Sequence, residues 1–241
     1  MGMPITVEIT DVSATQKSLD AVFDYFASID GRFSTYKKDS EIMRINRGEM
    51  PEGERSADMQ TVLALAAQTK RESGGYFDIK KPDGTLDPSG IVKGWAIRNA
   101  AELLVRSGCK NFYIDAGGDI QTRGVNAEGN VWSVGIRNPF KYDEIVQVVY
   151  PRGQGVATSG TYLRGQHIYD PFRPHEPIDD IVSITVIGPD ICEADRFATA
   201  AFAMGKNGIA FIGTLPGFEG YSIDTTGIAT KTAGFAAHTT A

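Results

Sequence analysis

The stretch that most limits what this chain can become runs from Leu86 to Gly124, LDPSGIVKGWAIRNAAELLVRSGCKNFYIDAGGDIQTRG. It opens on a turn, Asp87-Pro88-Ser89-Gly90, in which proline presets one backbone angle and glycine permits an otherwise strained one. Lys93 and Gly94 follow. Apolar residues at Trp95, Ile97, Ala100, Ala101, Leu103 and Leu104 then recur at helical spacing, and Gly108 stands where a helix C-terminus is usually capped. Asn111 to Asp115 reads as a short buried strand, Gly117-Gly118-Asp119 breaks it, and Ile120 to Arg123 resumes a strand. A lysine entering a helix beside a glycine turn, and a double glycine between strands, are both places where bare backbone can meet a phosphate or a ring. Glycine turns around a helix are also ordinary joints, and no G-x-G-x-x-G follows a strand and opens a helix. The physics alone marks this stretch as a candidate site.

The remaining elements follow from periodicity. Pro4 to Thr10 alternates as an opening strand with Ile5, Val7 and Ile9 inward. Thr15 to Phe33 carries Leu19, Val22, Phe23, Phe26 and Ile29 as the core face of a helix. Asp39 or Ser40 caps a short helix ending near Asn46, Pro51 to Arg55 is a loop, and Ala57 to Glu72 is a second long helix facing inward through Met59, Leu63 and Ala66. Tyr76-Phe77-Asp78, just after Gly74-Gly75, either borders a pocket or fills core as a strand edge. Strands are expected over Val131 to Arg137, Glu144 to Val149, Gly155 to Ser159 and Ile181 to Gly188, with a turn at Tyr162 to Gly165. Glu193 to Met204 is a helix, and Tyr221 to Thr230 a closing hairpin. Helices early and strands late predict an α+β fold, a largely antiparallel sheet packed with helices, in one domain over residues 1–241.

Composition excludes several functions. A net charge of −6 without a basic block argues against nucleic acid. No run of 18 apolar residues exists, so no transmembrane segment is expected. The opening MGMPITVEIT lacks signal-peptide features, which predicts a cytoplasmic chain as written, or a periplasmic or lipid-anchored one if a leader was removed. Cys109 and Cys192 show no metal-ligand spacing and read as buried thiols that leave the redox compartment open.

Three groups can carry chemistry. Asp195 and Thr199 lie four apart on one predicted helix, so their oxygens share a face and suit a hard cation such as Mg2+. His167 precedes Asp170-Pro171 and is either structural or, near a metal-bound phosphate, a base. Thr158, Ser159 and Gly160 end the preceding strand, and their hydroxyls and N–H groups can reach the same place.

In order along the chain, these segments resemble the ApbE family of FAD:protein FMN transferases. FSTYKKDSEIMRIN (Phe33 to Asn46) is similar to that family's F-S-x-Y-x-x-x-S-E-I-x-x-x-N, and Gly75 to Asp78 to its (G/A)-x-F-D. LDPSGIVKGWAIRN resembles its helix start, AGGDI its strand break, VATSGTY…HIYDP its A-T-S-G-x-Y…H-I-x-D-P, and ADRFATAAFAMG its A-D-x-x-x-T-A-x-F-x-x-G. The resemblance implies a metal held by Asp195, Thr199 and the Gly90 carbonyl. It implies flavin contacts at Met1, Tyr36, Tyr76, Phe77, Asp78 and Lys93, and close backbone approach of the adenosine half at Gly117 and Gly118. Thr158 and Ser159 join the binding set, and His167 and Asp195 carry the chemistry. The implied activity is Mg2+-dependent transfer of FMN from FAD to a threonine or serine hydroxyl of an acceptor protein, with release of AMP. The alternative is an FAD-binding protein, or an FAD pyrophosphatase giving FMN and AMP without a protein acceptor. This chain departs from the pattern twice. The family's longer insert is missing near residues 79–86, and its D-P-x-T-G-x-P loop reads here as Asp170-Pro171-Phe172-Arg173-Pro174-His175-Glu176-Pro177.

Overall fold

A computed structural model describes residues 2–12, 14–160 and 168–241. The expected turn over 162–165, Met1 and His167 lie outside the described residues. Seven strands form one antiparallel sheet in the order β1-β2-β3-β6-β7-β8-β9. They are β1 (Ile5–Ile9), β2 (Phe112–Ala116), β3 (Asp119–Arg123), β6 (Gly155–Gly160), β7 (Ile181–Gly188), β8 (Glu219–Asp224) and β9 (Ala229–Lys231). A separate antiparallel pair, β4 (Val134–Asn138) and β5 (Lys141–Val149), makes a two-stranded ribbon. The helices are α1 (Gln16–Phe33), α2 (Glu41–Asn46), α3 (Ala57–Glu72), α4 (Ser89–Arg106), α5 (Ile191–Ala203) and α6 (Gly208–Thr214).

Side-chain alternation on the strands divides the core into two. Ala157, Ile184 and Val186 join the helices in the larger cluster, which runs from Val22 to Phe218. Ile120, Val156, Ile187, Tyr221 and Ile223 point to the other face, where the ribbon's Val134, Ile136 and Val149 cover them together with Phe235. The sheet is therefore a middle layer, with helices on one face and the β4-β5 ribbon on the other.

The local rules that predict these elements mostly hold. Ser40 caps α2 by accepting the Met43 N–H, and Ser56 caps α3 by accepting that of Met59. After α4, the N–H of Gly108 donates to the Val105 carbonyl and that of Cys109 to Leu104, a left-handed cap with glycine at the turning residue. Several details differ from expectation, among them the strands expected over Val131 to Arg137 and Glu144 to Val149, which run from Val134 to Asn138 and from Lys141 to Val149. Phe23, at a helical period that matches the α1 core stripe, is 44% exposed, because it falls at the rim of the stripe that packs on α4. Glu52–Glu54 form a 3-10 turn within the expected loop. Helix α4 begins at Ser89, inside the expected turn, and α5 begins at Ile191, capped by Asp190.

Candidate active site

The start of α4 is fixed from a distance. Asn46, the last residue of α2, donates from Nδ2 to the Leu86 carbonyl at 2.9 Å and accepts the Leu86 N–H through Oδ1 at 2.8 Å. Asp87 then accepts the Ser89 N–H at 3.1 Å. The chain enters α4 already oriented, and Gly90, Lys93 and Gly94 fall on its first turns, facing α5.

Helices α4 and α5 approach closely because glycines line their contact. A Cβ at Gly94 would stand 2.6 Å from Asp195 Cβ and 2.7 Å from the Ile191 carbonyl. Without it, the Gly94 N–H donates to Asp195 Oδ2 at 2.8 Å. One turn further along α5, the Thr199 hydroxyl donates to the Gly90 carbonyl at 3.3 Å, and a Cβ at Gly90 would come within 3.0 Å of Thr199 Cγ2. The spacing of Asp195 and Thr199 thus brings both side chains onto the bare backbone of the neighbouring helix.

The sheet supplies the other side. The turn between β2 and β3 consists of Gly117 and Gly118, both with positive φ, and delivers Asp119 at the start of β3. Asp119 accepts the Thr158 N–H of β6 at 3.2 Å. Its other oxygen lies 2.6 Å from Lys93 Nζ, while Asp195 Oδ1 lies 3.7 Å from the same nitrogen. The three side chains are 1% (Asp119), 4% (Asp195) and 17% (Lys93) exposed. Burial is the main cause holding the Asp195 carboxyl well above the usual carboxylate range; the Lys93 ammonium pulls it back and the Asp119 carboxylate pushes it further up. Asp119 is the site residue that motif reading missed. Its signal is a charged residue directly after a double glycine, but only the fold brings it to Lys93.

Most of these groups line one cleft of about 140 Å3, with Asp119 and Gly94 behind its lining. Gly90, Lys93, Asp195, Thr199, Gly117, Thr158 and Ser159 form its inner end, and Phe77, Ile79, Ile168 and Tyr169 give it apolar walls. Thr158 Oγ1 shares a hydrogen bond with Thr185 Oγ1 at 2.8 Å. Tyr76 and Asp78 also line the cleft, so this segment serves both readings left open above: Phe77 is core and Tyr76 borders the pocket. At the shortened insert, Lys80 bridges to Leu86 and the Lys81 N–H donates to the Thr85 carbonyl at 2.8 Å, closing a tight hairpin whose Lys81 reaches the cleft. In the altered loop, Asp170 accepts the Phe172 N–H and the Arg173 guanidinium at 2.9 and 3.0 Å. Phe172 packs edge-on against Tyr76, ring centres 5.0 Å apart.

Two expected contacts do not meet the cleft. Tyr36 stands 96% exposed and is not among the lining residues, since its segment, between α1 and α2, turns outward. Gly118 is exposed as well, and its N–H is taken by Asp115 Oδ1 at 2.8 Å, while the Gly117 N–H donates to the Pro4 carbonyl at 3.2 Å. The turn therefore offers close approach, not free donors.

The expected cation donors fit a hard ion by their chemistry. They comprise one carboxylate, one hydroxyl and one carbonyl, all oxygen, and the missing Cβ at Gly90 leaves its carbonyl beside Thr199. Among the described residues, no three His, Cys, Asp or Glu side chains gather as a metal cage. A Mg2+ held here would complete its shell from water and a ligand's phosphates, as that ion usually does.

Fold and cleft define an α+β protein in which a buried lysine, two carboxylates and the bare backbone of a helix start meet beside the central strands of an antiparallel sheet. The model of the ApbE family matches residues 1–81 and 79–221, and the chain belongs to that family. It is 28% identical over 265 residues to the FAD:protein FMN transferase of Escherichia coli K12, covering 84% of this chain and 75% of that one. It is 26% identical to the FAD:protein FMN transferase of Haemophilus influenzae, covering 86% and 79%. The flavin transferase ApbE of Vibrio cholerae superposes with a TM-score of 0.86 at 22% identity, over 99% of this chain and 96% of that one. The ApbE protein of Thermotoga maritima does so with 0.87 at 20% identity, over 100% and 97%. These two structures share the α+β fold described above.

Proposed function

We infer that this chain, an ApbE-family flavin transferase, moves the FMN half of FAD onto a threonine or serine hydroxyl of an acceptor protein and releases AMP. The observation that carries the reading is the meeting of Lys93, Asp195, Thr199 and the Gly90 carbonyl at the inner end of one cleft, in a chain related to FAD:protein FMN transferases over 84% of its length. The acceptor oxygen forms a bond to the FMN-side phosphorus, the bond to the AMP phosphate breaks, and AMP leaves with the electron pair. Lys93 presents positive charge to the pyrophosphate from a mostly buried side chain, where a charge acts more strongly than at the surface. Phe77, Ile79, Ile168 and Tyr169 offer flat and apolar surface to the ring system. Two groups are candidates for the base that takes the acceptor proton: His167, and Asp195, whose burial raises its affinity for a proton. Mg2+, held by Asp195, Thr199 and the Gly90 carbonyl, would neutralise charge that builds on the phosphates.

The test is incubation with FAD, Mg2+ and a folded acceptor carrying a candidate threonine, read by intact mass. The expected result is a gain of one FMN phosphoryl unit on the acceptor and one AMP per transfer. Formation of FMN and AMP with no mass gain on any acceptor would make the chain an FAD pyrophosphatase. Neither product would reject the reading.

A further inference from the structure

Two buried carboxylates share one ammonium in this cleft, and they share it unequally. Lys93 Nζ is 2.6 Å from Asp119 and 3.7 Å from Asp195. Each carboxylate is held by a separate part of the fold: Asp119 by the Thr158 N–H of β6, Asp195 by the Gly94 N–H of α4. Lysine is the mobile member, a compact charge on a flexible four-carbon stem. A buried carboxylate is stable only when paired or bound to a cation. We propose that Asp119 is a positioning residue that holds the Lys93 ammonium off Asp195 and so keeps the Asp195 carboxylate open to a divalent cation. The proposal rests on the cation reading given above. Without Asp119, the nearest carboxylate to Lys93 is Asp195 Oδ1, and an ammonium drawn onto that oxygen occupies the place where a cation would bind. The same contact keeps the Lys93 charge beside Thr158, on the cleft side where a ligand's phosphates would lie.

The experiment measures Mn2+ binding to the purified, flavin-free chain by the electron paramagnetic resonance of free Mn2+, so no turnover is needed. Asp119→Asn retains an oxygen for the Thr158 N–H but releases the lysine, and it should weaken Mn2+ binding by about ten- to a hundredfold. Asp119→Asn combined with Lys93→Met removes the intruding ammonium and should restore most of the lost affinity. Asp119→Ser, alone and with Lys93→Met, gives the same comparison if the asparagine variant does not fold. Parent-like Mn2+ binding by the Asp119 variants would overturn the proposal, and so would a double variant that stays as weak as its Asp119 parent. Asp195→Asn separates the two readings. If it binds Mn2+ as well as the parent, the cation reading itself fails and the proposal falls with it. If it loses binding while the Asp119 variants keep it, only the positioning role is rejected.

Discussion

At the scale of single residues, Asp195 bears two demands that pull apart. Its charge is needed in the proposed reaction, and the fold surrounds that charge with apolar residues and a second carboxylate. Asp195→Asn keeps the shape and an oxygen for the Gly94 N–H, so the fold should survive. Loss of the formal charge should cut turnover about a thousandfold or more, equivalent to several kcal/mol of transition-state stabilisation. Stability should move the other way. An acid whose folded pKa lies above its unfolded value of 3.8 makes the folded state hold more protons. Its effect on stability is therefore unfavourable as pH rises from that value through the folded one. In metal-free buffer, the parent's melting midpoint should fall relative to that of Asp195→Asn across this window, as a dye-based melt would read. A fall of the same size in both would reject the assignment of that strain to Asp195. Cys192 makes a simpler case: burial pushes its thiol up to about 12, and it is fully enclosed. Iodoacetamide at about pH 8 should leave it unmodified in the native protein and modify it after unfolding, as peptide mass mapping would show.

Among elements, the α4–α5 contact is the one on which the cleft depends. Gly94→Ala would place a methyl group 2.6 Å from Asp195 Cβ. The helices must part, at a cost of about 1–3 kcal/mol, and the hydrogen bond that fixes Asp195 lengthens. Both the urea midpoint and turnover should fall, with turnover hit harder than a simple loss of folded protein explains. A second tie joins α5 to α3. Arg196 is buried beside Asp195 and reaches Glu193, Thr69 and Glu72, with its guanidinium 4.0 Å from the Phe197 ring centre. Burial alone would raise the Glu72 pKa, but its hydrogen bonds with Arg196 and Gln68 outweigh that and leave it lowered from 4.5. This contribution to stability is present above 4.5 and is lost as pH falls through the folded value. Glu72→Gln should therefore flatten the acid limb of a urea-midpoint profile as pH falls below 4.5. Much of this level was legible in the sequence. Apolar spacing located α1, α3 and α4, a continuous apolar run located β7, and Asp39-Ser40 announced a cap for α2, which Ser40 makes. Phe23 was misread because periodicity cannot tell the centre of a covered face from its rim. Asp119 and Arg196 were not legible as partners, because Lys93 and Glu72 meet them only after the sheet and helices have assembled. Tyr36 carries a family motif, yet the direction of its side chain is set by a turn that no motif encodes.

For the molecule as a whole, the shape of the cleft mouth sets how a bound flavin meets solvent. The hairpin over Lys80 to Leu86 is tight, and the Tyr76–Phe172 pair stands beside the opening. A flavin held here should be quenched readily by iodide, because so short a hairpin leaves the ring edge open. Strong protection would show that the Asp170 to Pro177 loop closes over it. FAD should bind more tightly than FMN, since Gly117 lines the inner end and lets backbone approach the adenosine half. Equal affinities by fluorescence titration would reject that role. The sheet order has a further consequence, for the time course of folding. Strand β1 pairs with β2 through partners such as Thr6 with Asp115 and Glu8 with Tyr113, across a loop that contains α1 to α4. Closing a loop of that length carries an entropic cost before any contact repays it, whereas β7, β8 and β9 pair with strands close behind them. On a ribosome, β1 is made well before β2 and lacks that partner until residues 112–116 have emerged. Through that interval it is a nascent chain's unpaired edge, with the charge of Glu8 among its outward residues as a guard against pairing with another chain.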